Sequence, residues 1–193
     1  MASSQHQQQQ AQQSPESRFP LLCCACRRGS LFELAYTAAK RGERVTYVCP
    51  KPTAREARAF FAEGRRDASV LQQIKMRYLP SCTALQCYMT CAQLLAEPPG
   101  VLVLDGFFEA TTAVEDGGTG SVDAHAQWLN SLAAIADAVH FLRQQHGSGA
   151  FYAVLGADGA MCQGSETPSA RFFARHAQRA TLDTGGALVV AAH

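Results

Sequence analysis

The chain has 193 residues, which suits one domain with a tail and excludes two full-sized enzyme domains, because one hydrophobic core typically serves ~100–200 residues. With 47% hydrophobic and 17% charged residues it lies outside the low-hydrophobicity, high-charge regime of disordered chains. Its 17 basic and 16 acidic side chains leave a formal charge of +1, so no global field recruits nucleic acid, membrane or acidic substrates, and any such binding has to come from a local patch.

No stretch approaches the ~20 uninterrupted apolar residues of a membrane helix, and the N-terminus lacks a basic segment followed by an apolar one. A soluble, non-secreted chain is the expectation. In a reducing compartment its eight cysteines are core residues, metal ligands or catalytic thiols rather than a disulfide framework.

Residues 1–18 form the first unit. Seven glutamines fall in the first thirteen positions, with Ser, Pro and one His and no apolar periodicity, so a disordered Gln-rich tail is predicted. From residue 19 to 193 short apolar runs alternate with helically spaced segments, the signature of βαβ units. Phe19–Cys26 is predicted as a buried strand. Ser30–Arg41 is a helix with Leu31, Leu34, Ala35 and Ala38 on one face, stopped by Gly42 at the position a left-handed cap prefers. Arg44–Cys49 is a strand closed by Pro50 and Pro52. Thr53–Arg66 starts with a capping box through Glu56 and continues as a helix over Ala57, Phe60 and Phe61.

Ile74–Tyr78 alternates apolar and basic residues, giving a strand with one wet face. Ser81 caps a helix running to about Ala96, ended by Pro98, Pro99 and Gly100. Val101–Leu104 is an apolar run suited to a central parallel strand and ends in Asp105. After a loop over 106–122, Asp123–His146 is the longest helix, with an apolar stripe of Trp128, Leu132, Ile135, Val139 and Leu142. Phe151–Leu155 is another buried strand, and 156–169 a second loop. The terminal pair Arg179–Asp183 and Ala187–Ala192, joined by Thr184-Gly185-Gly186, forms a hairpin.

The turn after the first strand is where a doubly wound sheet binds phosphate, since glycines let backbone amides face an anion at a helix N-terminus. The phosphate-loop pattern G-x-x-x-x-G-K-[ST] can be laid on Cys24-Ala25-Cys26-Arg27-Arg28-Gly29-Ser30-Leu31, and only Gly29 matches. Ser30 stands for the lysine that reaches the β and γ phosphates, and Leu31 for the hydroxyl that ligates magnesium. The companion element is better kept: Val101-Leu102-Val103-Leu104-Asp105 has the apolar strand and terminal aspartate of a Walker B segment. A degenerate nucleotide site therefore comprises Arg28, Gly29, Ser30 and Asp105, the bland alternative being an aspartate that satisfies loop amides at a strand end.

Other constellations select less. Cys87 and Cys91 stand one turn apart, as two zinc ligands could, but no four-ligand set can be assembled around them. Histidines and cysteines generate nucleophile–base pairs freely without spacing that selects one. Ser121, Asp123 and His125 are neighbours in sequence, which is not how a triad forms. Lys75 and Arg77 alternate on one predicted strand face, a plausible contact for a phosphate backbone.

At Leu71-Gln72-Gln73-Ile74-Lys75-Met76-Arg77-Tyr78-Leu79-Pro80-Ser81, followed by a helix and by Val101–Gly106, the chain resembles the SWIM-domain-protein-associated recombinase paralogues, the RecA-like subunits of Shu complexes in homologous recombination. That family carries a similar Leu-Gln-basic-Ile-basic segment ending in Tyr-Pro-Pro-Ser and a Leu-rich Walker B segment ending in Asp-Gly. The element order agrees over about Pro20–Ala192, and the specific matches lie in Leu71–Gly106.

The resemblance implies an α/β RecA-like P-loop fold, a mostly parallel central sheet flanked by helices, with a C-terminal antiparallel hairpin. It also implies a SWIM zinc-finger partner, a RecA-type recombinase partner, single-stranded DNA and a nuclear location, with no membrane. Vertebrate members keep an intact Gly-Lys-Thr loop, which is missing here, and the strand ending Val48-Cys49-Pro50 lacks the glutamate that orients attacking water in RecA-type enzymes. Phosphoryl transfer is mostly positioning and charge neutralisation, so a non-catalytic accessory without a cofactor is expected. An active NTPase binding ATP and magnesium through an atypical cradle, with Arg28 replacing the lysine charge, is the alternative.

The loops that face DNA in RecA-like proteins correspond to 106–122 and 156–169, and neither holds a lysine or arginine. Lys75, Arg77, Arg171 and Arg175 are the DNA-binding candidates instead. The Phe-x-x-Ala assembly motif of recombinases occurs at Phe32…Ala35 and Phe107…Ala110. Ten phenylalanines in an alanine-rich chain supply such matches by composition, and Phe32 reads as a core helix residue.

Overall fold

A computed structural model describes residues 21–25, 30–51, 66–95, 98–107, 121–146, 152–157, 177–182 and 188–190. The Gln-rich tail, residues 53–65 of the second predicted helix and the two predicted loops over 108–120 and 158–169 lie outside them. Seven strands form one sheet: β1 (Leu21–Ala25), β2 (Val45–Cys49), β3 (Ile74–Tyr78), β4 (Val101–Leu104), β5 (Tyr152–Ala157), β6 (Ala177–Leu182) and β7 (Leu188–Val190), in the spatial order β3-β2-β4-β5-β1-β6-β7. The pairings among β1 to β6 are all parallel. β7 runs antiparallel to β6, with Ala180 opposite Val190 and Leu182 opposite Leu188, which is the predicted C-terminal hairpin.

A parallel sheet needs cover on both faces, and strand alternation supplies two apolar sets. One face carries Leu22, Cys24, Val45, Tyr47, Val101, Val103 and Val154 and is covered by helix α1 (Ser30–Lys40) through Leu31, Phe32, Leu34 and Ala35. The opposite face carries Leu21, Cys23, Val48, Leu102, Leu104, Ala153 and Leu155. Its cover is α3 (Cys82–Thr90) and α4 (Ser121–His146), through Leu85, Met89, Leu132, Ile135, Val139 and Leu142. The 3-4-3 spacing of the last four residues is what keeps them on one stripe of α4. Each such leucine or isoleucine contributes roughly 1.5–3 kcal/mol of transfer free energy.

Local signals set the ends. Gly42 has φ of 84° and closes α1, with its own N–H donating to the Ala39 carbonyl at 2.9 Å and that of Glu43 to the Ala38 carbonyl at 3.2 Å. These are the two bonds of a Schellman cap, and a left-handed residue there favours glycine. Ser81 accepts from the Ala84 N–H at 3.2 Å and starts α3. The helix predicted to reach about Ala96 stops as an α-helix at Thr90 and continues as a 3₁₀ turn over Ala92–Leu94. The Thr90 hydroxyl donates to the Gln86 carbonyl at 2.9 Å, a back-bond of the kind that bends helices.

Other details also differ from the sequence expectation, among them the start of β6 at Ala177 rather than Arg179. The longest helix begins at Ser121, inside the predicted loop, and β5 continues past Leu155 to Ala157. A four-residue helix α2 (Ala68–Leu71), capped by Asp67, had no counterpart in the periodicity because one turn is too short to show one. Among the described residues no helix is long and apolar enough to cross a membrane.

Candidate functional site

In open α/β sheets the ligand crevice lies at the carboxyl ends of the strands, where neighbouring strands connect in opposite directions. β1 is such a strand, flanked by β5 on one side and β6 on the other. Ser30, the first residue of α1, follows its carboxyl end, and Asp105 follows that of β4. One strand, β5, separates them, so the two backbones are ~10 Å apart at the usual strand spacing. The fold therefore brings Ser30 and Asp105 to one edge. Arg28 and Gly29 fall outside the described residues.

The detail at that edge departs from a nucleotide site. Leu31, at the place of a magnesium-ligating hydroxyl, is 0% exposed and belongs to the core under α1. Asp105 is 3% exposed, its N–H donating to the Val48 carbonyl at 2.9 Å. Its Oδ2 accepts a hydrogen bond from the buried hydroxyl of Tyr47 on β2. The Tyr47 ring meets Phe32 of α1 edge-on, with centroids 5.6 Å apart and planes at 70°. The guanidinium of Arg66 lies 4.8 Å from the Phe32 centroid and 5.6 Å from that of Tyr36, and Arg66 bonds Glu33. An unbroken set of contacts thus joins the β4 carboxylate to α1 and to the segment entering α2. The residues described at this edge do not fit a magnesium–nucleotide complex.

Sequence reasoning found Asp105 and missed Tyr47. The available signal was a hydroxyl-bearing aromatic two residues from the end of a strand otherwise suited to burial on both faces. Arg66 was read as a helix end, whereas it stands outside any helix with its charge packed on two rings.

Lys75 and Arg77 are exposed on one face of β3, at the far edge from β6. Four strand spacings separate β3 from β1, roughly 19 Å, so the basic pair is not part of the β1 crevice. Arg77 reaches Tyr88 on α3: burial pushes the Tyr88 phenol above its ordinary value, and the hydrogen-bonded guanidinium pulls it part of the way back. Tyr78, 48% exposed, ends the same strand. Arg171 and Arg175 lie outside the described residues.

A groove of about 460 Å³ runs between α3 and α4, lined by Gln86, Met89, Asn130, Asp137 and Phe141 among others. It lies on the sheet face opposite α1, away from the Asp105 edge. Cys87 and Cys91 are exposed, and no group of three or more potential metal ligands occurs among the described residues. Phe32 and Phe107 are both buried core residues, so neither is presented to a neighbouring molecule.

The crystal structure of the RadB recombinase is similar to this chain, with a TM-score of 0.51 and 12% identity over 86% of this chain and 77% of that one. The fold is RecA-like. At that identity the likeness speaks for the architecture alone, a mostly parallel sheet with helices on both faces. No protein-family model and no curated protein matches the sequence.

Proposed function

We propose that this RecA-like domain is a non-catalytic accessory of homologous recombination, acting by binding. In this reading it pairs with a SWIM zinc-finger protein in the nucleus and promotes assembly of a RecA-type recombinase on single-stranded DNA. The matches at Leu71–Ser81 and Val101–Gly106 support the recombination role, as does the likeness to a protein described as a recombinase. The observation that carries the non-catalytic part is Leu31, a buried core leucine where a phosphoryl-transfer enzyme keeps its metal-binding hydroxyl.

DNA contact in this reading runs along β3. Lys75 and Arg77 supply charge on one face, and the exposed Tyr78 offers a ring on which a base can stack. Arg171 and Arg175 are the further candidates. The test is affinity capture of the full chain from nuclear extract with identification of SWIM proteins and recombinases, together with single-stranded DNA binding measured over a range of salt. Each neutralised phosphate on a single strand adds ~0.7 to the slope of log affinity against log salt, so Lys75→Ala with Arg77→Ala should lower that slope by about 1.4. Capture of neither partner class, with DNA binding unchanged by the double variant, would sink the proposal. ATP with magnesium should leave the melting temperature unchanged, whereas a nucleotide-dependent rise would bring the active-NTPase alternative forward.

A further inference from the structure

The structure assigns Tyr47 the place of a cation: its hydroxyl, rather than a divalent metal, holds the Asp105 carboxylate, which makes that aspartate a clasp between β4 and β2 instead of a metal ligand. The RecA-like fold puts a carboxylate at this strand end, and a carboxylate that is almost wholly out of water needs a strong partner, because an uncompensated buried charge is among the costliest features a fold can carry. In a nucleotide-hydrolysing site the partner is magnesium with its water shell. Here a phenol on the adjacent strand donates to it, since β2 pairs directly with β4 and Tyr47 stands opposite Val103, two residues before Asp105.

Three observations make the exchange hard to reverse. Magnesium dehydrates reluctantly and keeps several waters, yet Asp105 is 3% and Tyr47 0% exposed, so a hydrated ion reaches the carboxylate only by displacing what covers it. The Tyr47 ring is set edge-on against Phe32, and Phe32 is covered by the Arg66 guanidinium, so swinging the phenol away breaks an aromatic contact and a cation–π contact together. Leu31 removes the second protein oxygen from which a metal would be held. A phenolic hydrogen bond and a metal at ~2.0–2.1 Å also compete for the same region around the carboxylate.

The inference shares only its non-catalytic part with the proposed function, resting on the fold and not on any recombination partner. It is tested on the purified full chain with Mn²⁺, whose binding is read directly by electron paramagnetic resonance, and by melting temperature in EDTA and in millimolar Mg²⁺ or Mn²⁺. The wild type should bind no stoichiometric Mn²⁺ and melt at the same temperature in all three. Tyr47→Phe should melt lower by about 4–8 °C in EDTA, the shift expected for loss of one hydrogen bond to a buried charge in a chain of this size. Asp105→Asn, which still offers the hydroxyl an acceptor, should be the milder variant. Stoichiometric Mn²⁺ binding to the wild type that Asp105→Asn abolishes would overturn the inference, as would a Tyr47→Phe protein as stable as the wild type. Should Tyr47→Phe fail to accumulate as folded protein, the Mn²⁺ measurement on the wild type decides alone. Failure to capture a SWIM protein or a recombinase leaves these readings untouched, so the two proposals fall separately.

Discussion

Phe32 offers a sharp test of the packing that joins α1 to the sheet. Replacing it with leucine keeps an apolar side chain in a site that is 2% exposed but removes the ring that meets Tyr47 at 5.6 Å and carries Arg66 at 4.8 Å. The aromatic pair is worth roughly 0.5–1.5 kcal/mol beyond area burial. A desolvated cation–π contact adds about 1–2 kcal/mol, and the Arg66 side chain is only 8% exposed. Phe32→Leu should therefore cost about 2–3 kcal/mol by urea denaturation, with an unchanged m-value. A double-mutant cycle with Arg66→Met isolates the cationic part. Its partner Glu33 is 42% exposed and can hydrate once released, so the cycle leaves no stranded buried carboxylate. A coupling energy of about 1 kcal/mol between positions 32 and 66 is expected. Coupling near zero, or a Phe32→Leu cost within about 0.5 kcal/mol, would refute the argument that Arg66 and Tyr47 grip this ring.

Two further expectations test other parts of the structure. Leu132→Ala, at a fully buried position of α4 facing the sheet, should destabilise by about 2–5 kcal/mol in the same denaturation assay, the spread reflecting how far the cavity collapses. Asp67 caps α2, and bonds from the Ser69 hydroxyl and N–H hold its carboxyl below its ordinary 3.8. A depressed carboxylate adds stability that is fully present above the unfolded value and is lost as pH falls through the folded one. Stability measured from neutral pH down through that window should thus fall less steeply in Asp67→Ala than in the wild type.

What the sequence conveyed was local, and what it withheld was mostly long-range. Val101–Leu104 is apolar throughout because both faces of a central parallel strand are covered, and that pattern needs no knowledge of the neighbours. The basic alternation at Lys75 and Arg77 likewise announces a strand with one wet face, and the strand order then places it at the edge. The end of α3 at Thr90 was misplaced because a hydroxyl back-bond and a 3₁₀ turn leave no mark on hydrophobic spacing. At the candidate site, Asp105 was legible from the run before it. Its partner Tyr47 was not, because it stands 58 positions away in sequence and only strand order makes them adjacent. The Arg66 contacts were hidden for the same reason, since a cation over a ring has no periodicity.

The strand order also carries a consequence for how the chain is made. Among the described strands β1 is synthesised before the others, yet Leu21 pairs with Ala153 of β5 and Ala177 of β6, and with none of the strands between them in sequence. At roughly 5–20 residues per second, the interval between the emergence of β1 and that of its first partner is on the order of ten seconds. Throughout it, Leu-Leu-Cys-Cys-Ala presents two unpaired edges and apolar side chains on both faces. β2, β3 and β4 can pair among themselves in the meantime, so the nascent molecule holds a finished half-sheet and a waiting central strand. A ribosome stalled before β5 would leave that strand without a place in the sheet, a species that invites chaperone capture or aggregation.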